Sequence, residues 1–104
     1  MSDLPVACSL MPAELQERRR DVLWRIRISV SAVTELPNGF VYHFPSEGSW
    51  ILELANVIQL ERQCCPFLTF RLTVEPGNAD VLLEMTGPDG TKEFLADLFA
   101  NLNV

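Results

Sequence analysis

Hydrophobic and polar positions change period several times along this chain, and each change predicts a new element. Residues 1–11, MSDLPVACSLM, show no period and predict a loosely ordered arm carrying Cys8. Pro12-Ala13-Glu14 opens a short helix, because proline suits the first helical position and acids in the first turn complement the helix dipole. That helix is expected to end near Asp21 or Leu23. From Trp24 the pattern alternates, with Ile26, Ile28, Val30 and Ala32 on one side and Arg25, Arg27, Ser29 and Ser31 on the other, which predicts a half-buried strand. Leu36-Pro37-Asn38-Gly39 predicts a turn in which Asn-Gly supplies positive φ, and Phe40 to Phe44 returns as the second strand of a β-hairpin.

Pro45 to Ser49 breaks the strand and offers serine caps for a helix from Trp50 to Cys64. At 100° per residue, Trp50, Ile51, Leu54, Val57 and Ile58 form its apolar stripe, while Glu53, Asn56, Gln59 and Gln63 face away. Pro66 disfavours helical geometry at Cys65, and Phe67 to Glu75 then alternates as a third strand. A turn at Pro76-Gly77-Asn78, a fourth strand from Val81 to Thr86, and a last helix with Phe94, Leu95, Leu98, Phe99 and Leu102 inward complete the chain. Strand, strand and helix thus occur twice, at an offset of about 41 residues. The expected fold is α+β: a short N-terminal helix, then a repeated ββα unit forming a four-stranded antiparallel sheet with two helices packed on one face. The whole chain, 1–104, reads as one domain, an arm over 1–11 and an α-ββα-ββα core over 12–104. The other sheet face is expected to need a cover, from the first helix or from a homodimer.

Composition supports folding: Leu, Ile, Val and Phe make up 34 of 104 residues, well above the roughly 20% below which chains tend to stay disordered. A net charge of −6 repels phosphate backbones, which argues against a nucleic-acid partner. The one basic cluster, Arg18-Arg19-Arg20, stands among Glu14, Glu17 and Asp21 at spacings that suit ion pairs on a solvated helix face. No apolar run approaches the roughly 18 residues of a membrane span, and the start lacks a signal-peptide pattern, so a cytoplasmic protein with no membrane partner is expected. Three cysteines, Cys8, Cys64 and Cys65, do not make a disulfide framework.

Candidate chemistry is concentrated at Glu61-Arg62-Gln63-Cys64-Cys65-Pro66-Phe67. Helical projection puts Glu61 inside the apolar stripe, one turn before the cysteines, and a carboxylate there is costly unless it is paired. Soft thiolates select Cu(I), Zn and heavier thiophilic ions, and two neighbouring sulfurs suit low-coordinate ions better than a tetrahedral cage. A zinc site would have to recruit Cys8 and the single histidine, His43; three sulfurs from Cys8, Cys64 and Cys65 would suit a trivalent metalloid such as arsenite. Redox chemistry is less well served, because a disulfide between adjacent residues is strained and a helix C-terminus beside a carboxylate disfavours the thiolate, an effect that Arg62 partly offsets. Against all of these stands plain core packing, for which cysteine is well suited. His43 reads equally as a half-exposed strand residue, and Trp24 and Trp50 as core or interface anchors. One histidine leaves no Ser-His-Asp set, and no catalytic residue is identified.

The run Glu61-Arg62-x-Cys64-Cys65-Pro66-Phe67, followed by Thr86-Gly87-Pro88-x-Gly90-x-Lys92-Glu93-Phe94, resembles a family of small bacterial proteins with an E-R-x-C-C-P-F core. Similar segments accompany MerR-type heavy-metal regulators and mercury-resistance genes. The resemblance implies an accessory role with thiophilic metals (Hg, Cu(I), Zn or arsenite), with Cys64 and Cys65 as ligands and Glu61 beside them; it carries no enzymatic activity. Three expectations follow: a metal- or metalloid-binding protein using Cys64, Cys65 and Cys8, with Glu61, Arg62 and His43 around them; a non-catalytic homodimeric interaction module with buried cysteines; and a thiol redox enzyme.

Overall fold

The structure, a computed structural model, describes residues 13–46, 49–77 and 79–100. Its elements run α1 (Ala13–Ser29), β1 (Ala32–Leu36), β2 (Gly39–Phe44), α2 (Trp50–Cys64), β3 (Thr69–Val74), β4 (Val81–Thr86) and α3 (Thr91–Ala100). The four strands form one sheet in the order β1-β2-β4-β3, antiparallel throughout. The second strands of the two ββα units therefore meet at the centre and the first strands lie at the edges, an order the sequence pattern left open. The arm over 1–11, with Cys8, lies outside the described residues, as do the side chain of Phe99 and all of Leu102.

Residues paired across an antiparallel sheet share a face, so the register defines both surfaces. Val33, Tyr42, Leu83 and Leu72 make one row, and Glu35, Phe40, Met85 and Phe70 the next. This face carries the core: Tyr42, Phe44, Val81, Leu83 and Met85 are buried with Leu54 and Val57 of α2 and Leu95 of α3. The opposite face presents rows such as Thr34, Val41, Glu84 and Arg71, with an exposed Arg71–Glu84 ion pair at 4.0 Å. Its polar side chains are content in water, so it does not demand the cover expected from the first helix or a homodimer. That helix packs instead against α2 and α3.

The N-terminal helix is the main departure from the expected elements. It has 17 residues and runs to Ser29, through the segment read as the start of a strand. Leu23 and Ile26 are buried, whereas Trp24 and Ile28, at 45% and 60% exposure, face solvent. The burial period is helical, and a short alternating run fits either period when its neighbours are good helix formers such as arginine. Consequently β1 starts only at Ala32 and is a five-residue edge strand. The hairpin turn is also built differently. Neither Asn38 nor Gly39 has positive φ; glycine is required at 39 because a Cβ there would lie 1.9 Å from the Met85 carbonyl oxygen of β4.

In α2 the predicted span holds, with a shifted face: Leu54, Val57, Glu61 and Cys64 are buried and Ile51 is exposed. Ser49 precedes the helix without a side-chain capping bond; its carbonyl accepts from the Glu53 N–H at 3.0 Å. Trp50 packs on Phe44, ring centroids 5.0 Å apart. Past the helix, Cys65 leaves helical geometry at φ −123°, ψ 74°, as expected before proline. Phe67 and Leu68 then turn inward ahead of β3, and Phe67 meets Phe94 of α3 edge-on at 5.1 Å.

Candidate functional site

Where α2 ends, three side chains that carry chemistry meet beneath α1. Glu61 is 1% exposed, as its place in the apolar stripe predicts. Its carboxylate accepts two hydrogen bonds from Arg19 of α1, Nε to Oε2 at 2.7 Å and Nη2 to Oε1 at 3.0 Å. This is the two-pronged geometry that makes arginine–carboxylate pairs strong and specific. The Cys65 Sγ donates toward Glu61 Oε1 at 3.7 Å and lies 3.6 Å from Arg19 Nη2. Cys65 is 0% exposed and Cys64 2%.

Local structure explains the convergence. Glu61 and Cys65 are one helical turn apart, and the Cys65 N–H still donates to the Glu61 carbonyl at 2.6 Å, so the C-terminal turn fixes one side chain over the other. Arg19 arrives because it lies on the same side of α1 as the buried Leu23 and Ile26, at spacings of four and seven residues. Its side chain retains 16% exposure, making it the cluster's link to solvent. Burial disfavours the charge on Arg19, but the hydrogen bonds and charge of Glu61, with smaller contributions from Cys64 and Cys65, outweigh it, and the guanidinium pKa lies above its usual value.

The arrangement gives the Cys65 sulfur a proton acceptor on one side and a cation on the other. A buried ion pair adds little net stability over apolar residues of the same volume, so its presence against two thiols marks the cluster as a functional candidate more than a structural brace.

The other expected site residues are placed elsewhere. Arg62 is exposed and turns away from the pair; the arginine beside the thiols is Arg19, which sequence reasoning assigned to a solvated face. His43 lies on the sheet face opposite the core, with Nε2 3.0 Å from the Thr34 Oγ1, and is not brought to the cysteines. Among the described residues no group of three or more His, Cys, Asp or Glu side chains forms a metal cage. Helical projection of a longer α1 was the signal that would have found Arg19. Compared with family models, with curated proteins and with solved structures, the chain matches none.

Proposed function

We propose that this chain binds a thiophilic metal or metalloid ion through Cys64 and Cys65 and acts as an accessory protein rather than an enzyme. The observation that carries this reading is the contact of Cys65 with both ends of a buried ion pair. An incoming soft ion displaces thiol protons, and the Glu61 carboxylate is the base within reach. Arg19, the partly exposed member, is the group an ion must pass. Two sulfurs and no nearby imidazole favour ions content with few ligands, Hg(II) or Cu(I), over tetrahedral Zn(II). Arsenite, As(OH)3, would condense with two thiols, releasing two waters, and would need Cys8 to complete a three-sulfur set. The reading places the chain in the reducing cytoplasm, where its cysteines persist as thiols.

Its test is proton counting. Titrating Hg(II) into reduced protein in weakly buffered solution should release about two protons per ion, because each thiol must deprotonate to bind. In a Cys8→Ser background, which removes the third thiol, the further Cys64→Ser, Cys65→Ser change should abolish the release; equal release with and without the pair would sink the proposal.

A second reading is favoured by burial: at 2% and 0% exposure the cysteines also serve as packing, and Trp24, Ile28 and Leu52 are exposed on the outer faces of α1 and α2. Under it the chain is an interaction module, a homodimer being the simplest form. Slow native thiol labelling together with concentration-dependent association in sedimentation would favour this reading; a monomer at micromolar concentration would count against it.

A further inference from the structure

Away from the cysteine cluster, an apolar cleft of about 340 Å³ opens between the last turns of α1, the β1–β2 edge of the sheet and α3. Ile26, Val30, Val33, Phe40, Tyr42 and Leu95 form its walls, and Arg27 lines it as its one cationic group. We infer that this cleft is a binding site for a small amphipathic carboxylate, an apolar chain or ring whose acid group is held by Arg27.

Topology explains the space. β1 is a five-residue edge strand, and on the core face it contributes only Val33 and Glu35. Glu35 is held to α3 by Lys92, which leaves Val33 as the apolar surface along that edge, 51% exposed. No described side chain fills the gap between Val33, Ile26 and Leu95. At roughly 30 Å³ per heavy-atom group in a liquid, the cleft admits about ten non-hydrogen atoms, and its volume is at the lower end for small-molecule sites.

Charge selects the ligand class. Arg27 is half-buried in the last turn of α1 and has no ion-pair partner among the described residues, whereas Arg19, Arg25 and Arg71 each have one. The acid nearest the cleft along β1, Glu35, is already engaged by Lys92. An unneutralised guanidinium on an otherwise apolar wall is complementary to a carboxylate attached to hydrocarbon, and guanidinium–carboxylate pairing is the stronger kind of hydrogen bond. A neutral hydrocarbon would leave Arg27 unused, and a polyanion would find no second cation.

Octanoate is the probe. Isothermal titration calorimetry of the full chain at neutral pH should show saturable one-to-one binding, at least about tenfold tighter than octan-1-ol. Arg27→Gln should bring the two ligands to within about twofold of each other, while Ala96→Phe, a change at an exposed position lining the cleft, should abolish binding of both. Circular dichroism of each variant confirms the fold. The inference is overturned if the parent shows no saturable octanoate binding at millimolar concentration, if octanoate still binds the folded Ala96→Phe variant, or if Arg27→Gln keeps the full preference for the acid.

Discussion

Arg19 and Glu61 carry opposite charges into a space that the hydrophobic pattern assigns to apolar side chains, and each is tolerable there because of the other. Removing one partner leaves a buried charge uncompensated. Glu61→Ala should therefore cost about 3 kcal/mol or more in urea denaturation, while the paired change Arg19→Met, Glu61→Leu should lie much closer to the parent. If the single and double variants were equally destabilised, the buried pair would not be acting as a unit. Tyr42, the only tyrosine, gives a second prediction at this scale. Burial raises its phenol pKa, so the folded state holds the proton more tightly than the unfolded chain does. The stability this contributes is fully present below the unfolded value of about 10 and is lost as pH rises toward the folded value. Tyr42→Phe should flatten that alkaline decline, and tyrosinate absorbance in the parent should appear only with unfolding; normal titration of Tyr42 in the folded protein would contradict its burial. At the scale of single residues the sequence was half legible. Glu61 declares itself because a lone acid interrupts an apolar stripe, but Arg19 does not, because three consecutive arginines among acids look the same whether one of them turns inward or all face water.

The same ambiguity governs the elements. Between Trp24 and Val30 the hydrophobic positions satisfy period two and, through Leu23, Ile26 and Val30, a helical period as well, and the surrounding arginines tip the segment toward helix. Burial separates the alternatives experimentally. Ile26→Ala should cost about 2–4 kcal/mol and Ile28→Ala under about 0.5 kcal/mol, whereas a strand with both side chains inward would make the two losses similar. The hairpin holds a comparable lesson. Asn-Gly marked the turn correctly, yet glycine is needed at 39 for backbone approach to Met85 and not for positive φ, so Gly39→Ala should destabilise by at least about 2 kcal/mol even though alanine suits the backbone angles. An alanine variant with the parent's denaturation midpoint would show that β2 and β4 are not so close. Elements with long, unmixed periods, α2, β3, β4 and α3, were readable almost to their ends, because no second period competes there.

Across the whole molecule, the doubled ββα order made a four-stranded antiparallel sheet readable, but the strand order, with β2 and β4 at the centre, was not, because no local pattern says which strands of the two units pair. Interaction between distant segments was not readable: nothing in the local pattern tells α1 to lie on α2 and α3, and that packing is what delivers Arg19 to Cys65. It also leaves the far sheet face, with His43, Glu84 and Arg71, separate from the cysteines. The molecule thus has a polar sheet face, a helical layer and, between helices, one sulfur-containing charged cluster among the described residues. Among those residues no helix is long and apolar enough to cross a membrane. The central claim is that Cys64 and Cys65 form an ion-binding unit, and native mass spectrometry of the reduced full chain tests it most directly. Titrated in turn with Hg(II), Cu(I), Zn(II) and As(III), a Cys8→Ser parent, freed of the third thiol, should take up one Hg(II) or Cu(I) in preference to Zn(II), and the same protein with Cys64→Ser and Cys65→Ser should take up none. Retention of the ion by the double variant, or no uptake by the parent, would contradict the account and leave the two cysteines as core side chains.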